Sequence, residues 1–203
     1  PNDPDSYVIT ADDREVLGNT TPKFSGGFGI NATWRGFDLN AFFNFMCGFD
    51  VLNLNKVHMS IMPSSKGQYR NLSGDFADAW KTTDEWGNSL WRQPEVMAEY
   101  NKNAKMWSPN NVTKAFVSSY AVEDGSFLRL QTLTIGYSLP AKLLKHVGMT
   151  KCRFYATGYN LFTITKYSGY DPEVNIGEGL TPNVDYNMYP RARTYTFGVQ
   201  LSF

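Results

Sequence analysis

Apolar and polar positions alternate without a break at the end of the chain. In Arg193–Phe203 the odd positions from Tyr195 on are Tyr195, Phe197, Val199, Leu201 and Phe203, and the even ones are Thr194, Thr196, Gly198, Gln200 and Ser202. A period of two predicts a β-strand whose two faces meet different surroundings. At ~3.3 Å per residue and a tilt of ~40°, such a strand spans roughly the 25 Å apolar band of an outer membrane. The competing reading is an edge strand of a soluble sandwich.

The pattern recurs upstream. In residues 23–34, Phe24, Gly26, Phe28, Ile30, Ala32 and Trp34 share one face, opposite Lys23, Ser25, Gly27, Gly29, Asn31 and Thr33. Arg35-Gly36 then has the length of a tight hairpin turn. In 37–49, Phe37, Leu39, Ala41, Phe43, Phe45, Cys47 and Phe49 oppose Asp38, Asn40 and Asn44, with Phe42 and Met46 as exceptions. A third strand is predicted over 127–139. Leu133, Ile135, Tyr137 and Leu139 share one face there, and Leu128 and Leu130 fall on the other. A bulge, or emergence of the strand beyond the bilayer, accounts for that switch. In a fourth strand, 152–164, the facing stays open: Arg153, Tyr155, Thr157, Tyr159 and Leu161 oppose Phe154, Ala156, Gly158, Asn160 and Phe162.

Residues 1–22, 50–126 and 165–190 lack this alternation and read as loops. The middle one is partly helical. Leu72, Phe76, Ala79 and Trp80 fall at helical spacing with Ser73 as a cap, and Pro94 opens a short helix through Tyr100. Pro140 to Val147 reads as one or two helical turns stopped by Gly148. Connections thus alternate long and short, as in outer-membrane barrels with long extracellular loops and short periplasmic turns. The expected fold is all-β: an antiparallel transmembrane β-barrel whose last strand runs to a periplasmic C-terminus. Five strands cannot close a barrel, since the smallest bacterial ones use about eight. The chain is therefore expected to be a C-terminal fragment, or one piece of a nicked protein.

Composition agrees. Aromatics make up 15% of the 203 residues, which suits aromatic girdles. No apolar run reaches the ~20 residues of a spanning helix. With 19 basic and 19 acidic side chains, the chain lacks the basic excess that nucleic-acid binding requires. The start, Pro1-Asn-Asp-Pro-Asp, is no signal peptide, so an outer-membrane protein would lack its beginning here. Cys47 and Cys152 have no metal-site spacing and read as buried or lipid-facing thiols, with a disulfide as the alternative. The Asp3, Asp5, Asp12, Asp13 cluster is read as a solvated turn, with calcium binding the other possibility, because its spacing does not match an EF-hand. His58 and His146 are isolated from any nucleophile motif, so no catalytic residue, cofactor or metal site is assigned.

Several stretches resemble one family. They are Thr20-Thr-Pro-Lys-Phe-Ser-Gly-Gly-Phe28, Val122-Glu-Asp-Gly-Ser-Phe-Leu-Arg-Leu130, Leu133-Thr-Ile-Gly-Tyr-Ser-Leu-Pro140, Gly158-Tyr-Asn-Leu-Phe-Thr163, Tyr167-Ser-Gly-Tyr-Asp-Pro-Glu173, and Tyr189-Pro with Arg193-Thr-Tyr-Thr-Phe-Gly-Val199. In this order they resemble the C-terminal part of SusC/RagA-type TonB-linked outer-membrane proteins of Bacteroidetes. The resemblance implies the last five strands of a barrel of about 22 strands around an N-terminal plug. It also implies a SusD-like surface lipoprotein as lid, coupling to TonB-ExbB-ExbD through the plug, and import of an oligosaccharide or, alternatively, a peptide. Neither plug nor TonB box is in this sequence. Residues 81–115 depart most from the family, carrying an insertion-like, helix-compatible segment where many relatives have a compact Trp-Thr-Pro-Glu-Asn-Pro-like stretch. A surface adhesin barrel without active transport is the reading from another class.

Candidate contacts follow. Trp80, Trp86, Trp91 and Trp107, four of the five tryptophans, lie in the long loop and offer ring faces to sugars or to the lid; the alternative is that they pack on one another. Asp171 and Glu173 are candidates for ligand or cation contact, beside a rigid-turn role suggested by Pro172 and Gly169. Lys23, Asn31, Asp38, Asn40 and Asn44 are expected to face the lumen and meet the plug. Phe203 is the expected barrel-assembly signal.

Overall fold

The computed structural model describes residues 14–61, 71–108, 118–145, 148–174 and 182–203. The Asp-rich stretch at 3–13, His146 and Val147 lie outside them. In chain order the elements are β1 (Phe24–Trp34), β2 (Phe37–Cys47), β3 (Asp50–Asn53), α1 (Leu54–Met59), α2 (Pro94–Asn101), β4 (Val122–Asp124), β5 (Phe127–Ser138), α3 (Ala141–Leu144), β6 (Lys151–Thr165), β7 (Val184–Asp185) and β8 (Thr194–Ser202). One five-stranded antiparallel sheet runs β1-β2-β5-β6-β8, and a small sheet β4-β3-β7 sits beside it. Among the described residues no helix is long and apolar enough to cross a membrane.

Register sorts the large sheet into two faces, because directly opposed residues of an antiparallel pair point the same way. Phe28 opposes Phe43, Phe43 opposes Leu130 and Leu130 opposes Phe162. Nearer the tight hairpin, Trp34, Phe37, Tyr137, Phe154 and Val199 form a second such row. This face is apolar on all five strands and stays bare, with Phe197 80% and Ile164 62% exposed. An uncovered apolar sheet this wide marks a non-aqueous contact. The other face carries Asn31 opposite Asn40, Asp38 opposite Gly136, and Thr134 opposite Thr157.

The hairpin between β1 and β2 closes on Arg35 and Gly36 at φ 47° and 89°, a pair of left-handed residues that matches strand twist. A bulge at Gln131 shifts β5 against β2 between Phe42 and Phe43 and against β6 between Leu130 and Thr132. It returns Leu128 and Leu130 to the apolar face. It also settles β6: Phe154, Ala156 and Gly158 are apolar-side, and beyond Asn160, at φ 52°, Phe162 and Ile164 rejoin them. Leu161, grouped with Tyr159 by simple alternation, falls inside this irregularity and has no register partner on β5.

The two exceptions on β2 have local causes. The Phe42 ring lies over Gly27, where a Cβ would come within 2.7 Å of it. Met46 packs against a buried cluster of Phe49, Val51, Phe127, Tyr167 and Val174. That cluster is the core of a loop cap at the end of the sheet bearing the long connections. Each such side chain contributes about 1.5–3 kcal/mol when fully buried. A second cluster, Val57, Ile61 and Ala121, holds α1 to the segment before β4. The helix-like spacing at 72–80 resolves as a 3₁₀ turn, Gly74–Asp78, with Ser73 accepting from the Asp75 N–H at 3.2 Å.

Candidate ligand-facing cap

The cap is built on an arginine inside a strand. Because of the bulge, Arg129 of β5 points to the polar face, where it is 1% exposed. Its guanidinium donates to Asp171 and lies 3.5 Å from Glu173. Asp171 also accepts from the Glu173 N–H at 3.0 Å and the Arg191 N–H at 3.3 Å, and the Arg191 side chain holds Glu173 at 2.6 Å. The two acids singled out in the sequence are thus engaged by internal arginines. They tie residues 171–173 and 191 to the wall, the rigid-turn role set beside ligand contact in the sequence.

Two further ties lock the same loop. Tyr167 donates to Asp185 at 2.6 Å, and Asn55 of α1 donates to the same carboxylate at 2.9 Å. Burial, followed by the hydrogen bond to Asp185 and that carboxylate's charge, pushes the Tyr167 phenol far above its usual range. Glu123 of β4 accepts from Lys56 at 3.0 Å and from the Ser168 N–H and hydroxyl at 2.9 Å each. Burial alone would lift this carboxyl, but the Ser168 and Lys56 contacts outweigh it and hold it below the usual glutamate range. Lys56 also sits 4.3 Å from the Tyr120 ring centre, and Tyr120 donates to Asp75 at 2.8 Å.

Between α1 and these tied segments lies a cleft of about 920 Å³, lined by Asn53, Asn55, Lys56, His58, Met59, Ser73, Asp75, 168–170 and 187–190. Ligand sites typically enclose about 300–1,000 Å³. Tyr170 and Tyr189, 85% and 91% exposed, stand at its margin while their neighbours Asp171 and Met188 pack inward. The 167–173 motif marks this loop in the sequence, but only the fold shows which of its side chains point out.

The tryptophans are dispersed. Residues 79–106 form a lobe closed by an Ala79–Met106 bridge, with Trp80 N–H donating to Met106 at 2.9 Å and Asn101 tied to Lys81. At its tip Asp84 accepts from the Trp86 and Asn88 N–H groups, at 3.0 and 2.7 Å, and Gly87 takes φ 84°. This turn presents Trp86, 86% exposed, with Trp91 also exposed nearby. Trp80 borders a separate cleft of about 350 Å³, and Trp107 packs edge-on against Tyr120 at 4.9 Å.

On the polar face near the hairpin, Arg153 of β6 reaches across Gly136 of β5 to Asp38 of β2, Nε donating at 2.8 Å. Asn40 donates to Asn31, and Asn44 shares their side of β2. Lys23 lies just before β1, its chain against Gly48. Cys47 and Cys152 are free thiols at opposite ends of the apolar face. Among the described residues no three His, Cys, Asp or Glu converge as a metal site.

A bare apolar face, a polar face and a loop cap at one end define a section of membrane-barrel wall. TonB-dependent receptor P3 of Formosa agariphila is 32% identical over 96% of this chain, and SusC of Bacteroides thetaiotaomicron is 41% identical over 43% of it. The RagAB peptide importer, in its closed-closed state, superposes with TM-score 0.71 at 27% identity over 98% of the chain. No family model matches. The chain belongs to the SusC/RagA-type TonB-dependent receptors of the outer membrane, as a piece of their β-barrel. It spans 18% of the length of receptor P3 and 19% of the matched RagAB chain.

Proposed function

We propose that the receptor containing this chain imports oligosaccharides across the bacterial outer membrane by a TonB-driven route. The observation that carries this is the likeness to TonB-dependent receptors along nearly the whole chain, in a wall with one lipid-compatible face and one polar face. In this reading the apolar face meets lipid, and Lys23, Asn31, Asp38, Asn40 and Asn44 line the lumen against the plug. The long connections are extracellular beneath a SusD-like lipoprotein lid, and the C-terminus is periplasmic, with Phe203 as assembly signal. Coupling to TonB-ExbB-ExbD runs through the plug.

The test is uptake by cells carrying the full receptor, with and without a functional TonB. TonB-dependent accumulation of an oligosaccharide supports the proposal, and accumulation that ignores TonB contradicts it. Peptide import is the second reading, supported by the likeness to the RagAB peptide importer.

A further inference from the structure

We infer that the cleft between α1 and residues 168–170 and 187–190 binds an uncharged oligosaccharide, with Tyr170 and Tyr189 as two ring-stacking platforms. The inference rests on the oligosaccharide reading above and adds the site and the charge class of the sugar.

Three observations carry it. First, Tyr170 and Tyr189 are nearly fully exposed although the backbone beside them is pinned, through Asp171 to Arg129 and through Arg191 to Glu173. Broad amphipathic rings on a fixed loop offer contact area at little entropic cost. Second, among the described lining residues only Lys56 and Asp75 carry a fixed charge, and they sum to zero. Each is already engaged inside the protein, Lys56 by Glu123 and Asp75 by Tyr120. Among the described residues that line the cleft there is no guanidinium to meet a carboxylate or sulfate. Third, the remaining lining is rich in uncharged hydrogen-bonding groups such as Ser73, Ser168 and Asn187, the chemistry that pairs with sugar hydroxyls. A peptide would bring a charged ammonium and carboxylate, for which the described lining offers only the already engaged Asp75 and Lys56.

The test is calorimetry on the full receptor in detergent. The probes are neutral hexasaccharides (maltohexaose, cellohexaose, mannohexaose, xylohexaose), a hexagalacturonate and an uncharged-side-chain hexapeptide. At least one neutral sugar is expected to bind at least tenfold tighter than the uronate. Tyr170→Ala and Tyr189→Ala should each weaken it about two- to tenfold, whereas Tyr170→Phe and Tyr189→Phe, which keep the ring, should retain binding. Uronate binding as tight as the neutral sugars, or neutral-sugar binding indifferent to both Ala variants, overturns the inference and leaves oligosaccharide import standing. Binding of the hexapeptide alone overturns both. Failure of every neutral sugar to bind overturns the inference.

Discussion

Arg129→Met is the most informative single perturbation of the cap. Methionine keeps much of the apolar stem but removes the guanidinium, which strands Asp171, 8% exposed, and takes one of two cations from Glu173. Removing one partner of a buried pair costs about 3–5 kcal/mol. Arg129 ties loop to wall, so the loss falls on docking of the loop and not on the strand ladder. At ~1.4 kcal/mol per decade, the docked-to-undocked ratio should fall by roughly two to three and a half decades. Hydrogen exchange on the full receptor reads this directly. Amide protection across 167–174 and at Arg191, whose N–H donates to Asp171, should drop by about two to three and a half decades, while β8 keeps its protection. Pairing Arg129→Met with Asp171→Leu should restore most of it, since a well-packed apolar pair can replace a buried ion pair. Unchanged protection in the single variant would refute the view that Arg129 anchors the loop.

Three further outcomes are expected. In Gly136→Ala the new Cβ would lie 2.5 Å from both Arg153 Nη2 and Asp38 Oδ1. The ion pair must open, at about 1–3 kcal/mol, and the midpoint of urea unfolding in detergent should fall. Glu123 has a lowered folded pKa, so its contribution is present above the unfolded value of ~4.3 and lost as pH falls through the folded one. Exchange at the Ser168 amide should therefore accelerate below about pH 4, and Glu123→Gln should flatten that dependence. Tyr167→Phe leaves Asp185, 2% exposed, with Asn55 but without its hydroxyl donor. About 1–3 kcal/mol of loop stability should go, read as earlier protease cleavage between 168 and 190.

The wall was legible because a strand with two environments writes its facing into every second residue. Tyr195 to Phe203 and Phe24 to Trp34 needed no other information. Gln131 shows where that reading stops. One extra residue inverts the parity of everything beyond it, so Arg129 looked like part of a mixed strand although it is the buried post of the cap. The acids of the 171–173 turn were visible as chemistry, but the arginines that hold them lie 42 and 18 residues away in sequence. The same limit hid Tyr170 and Tyr189, whose exposure depends on which neighbours are tied down. Short strands such as β3 and β7, of four and two residues, are too brief to carry a period at all.

As barrel wall, the chain should turn the odd positions of β8 toward lipid and the even positions toward the lumen. That facing is tested most directly by single cysteines at 194 to 201 in the full receptor, with Cys47 and Cys152 replaced by alanine. Each would be spin-labelled and probed in native outer membranes with a lipid-soluble and a water-soluble relaxation agent. Strict alternation is expected: oxygen reaches labels at 195, 197, 199 and 201, and a water-soluble nickel chelate reaches those at 194, 196 and 200. Uniform access of the nickel chelate to both sets, or a reversed phase, would contradict it.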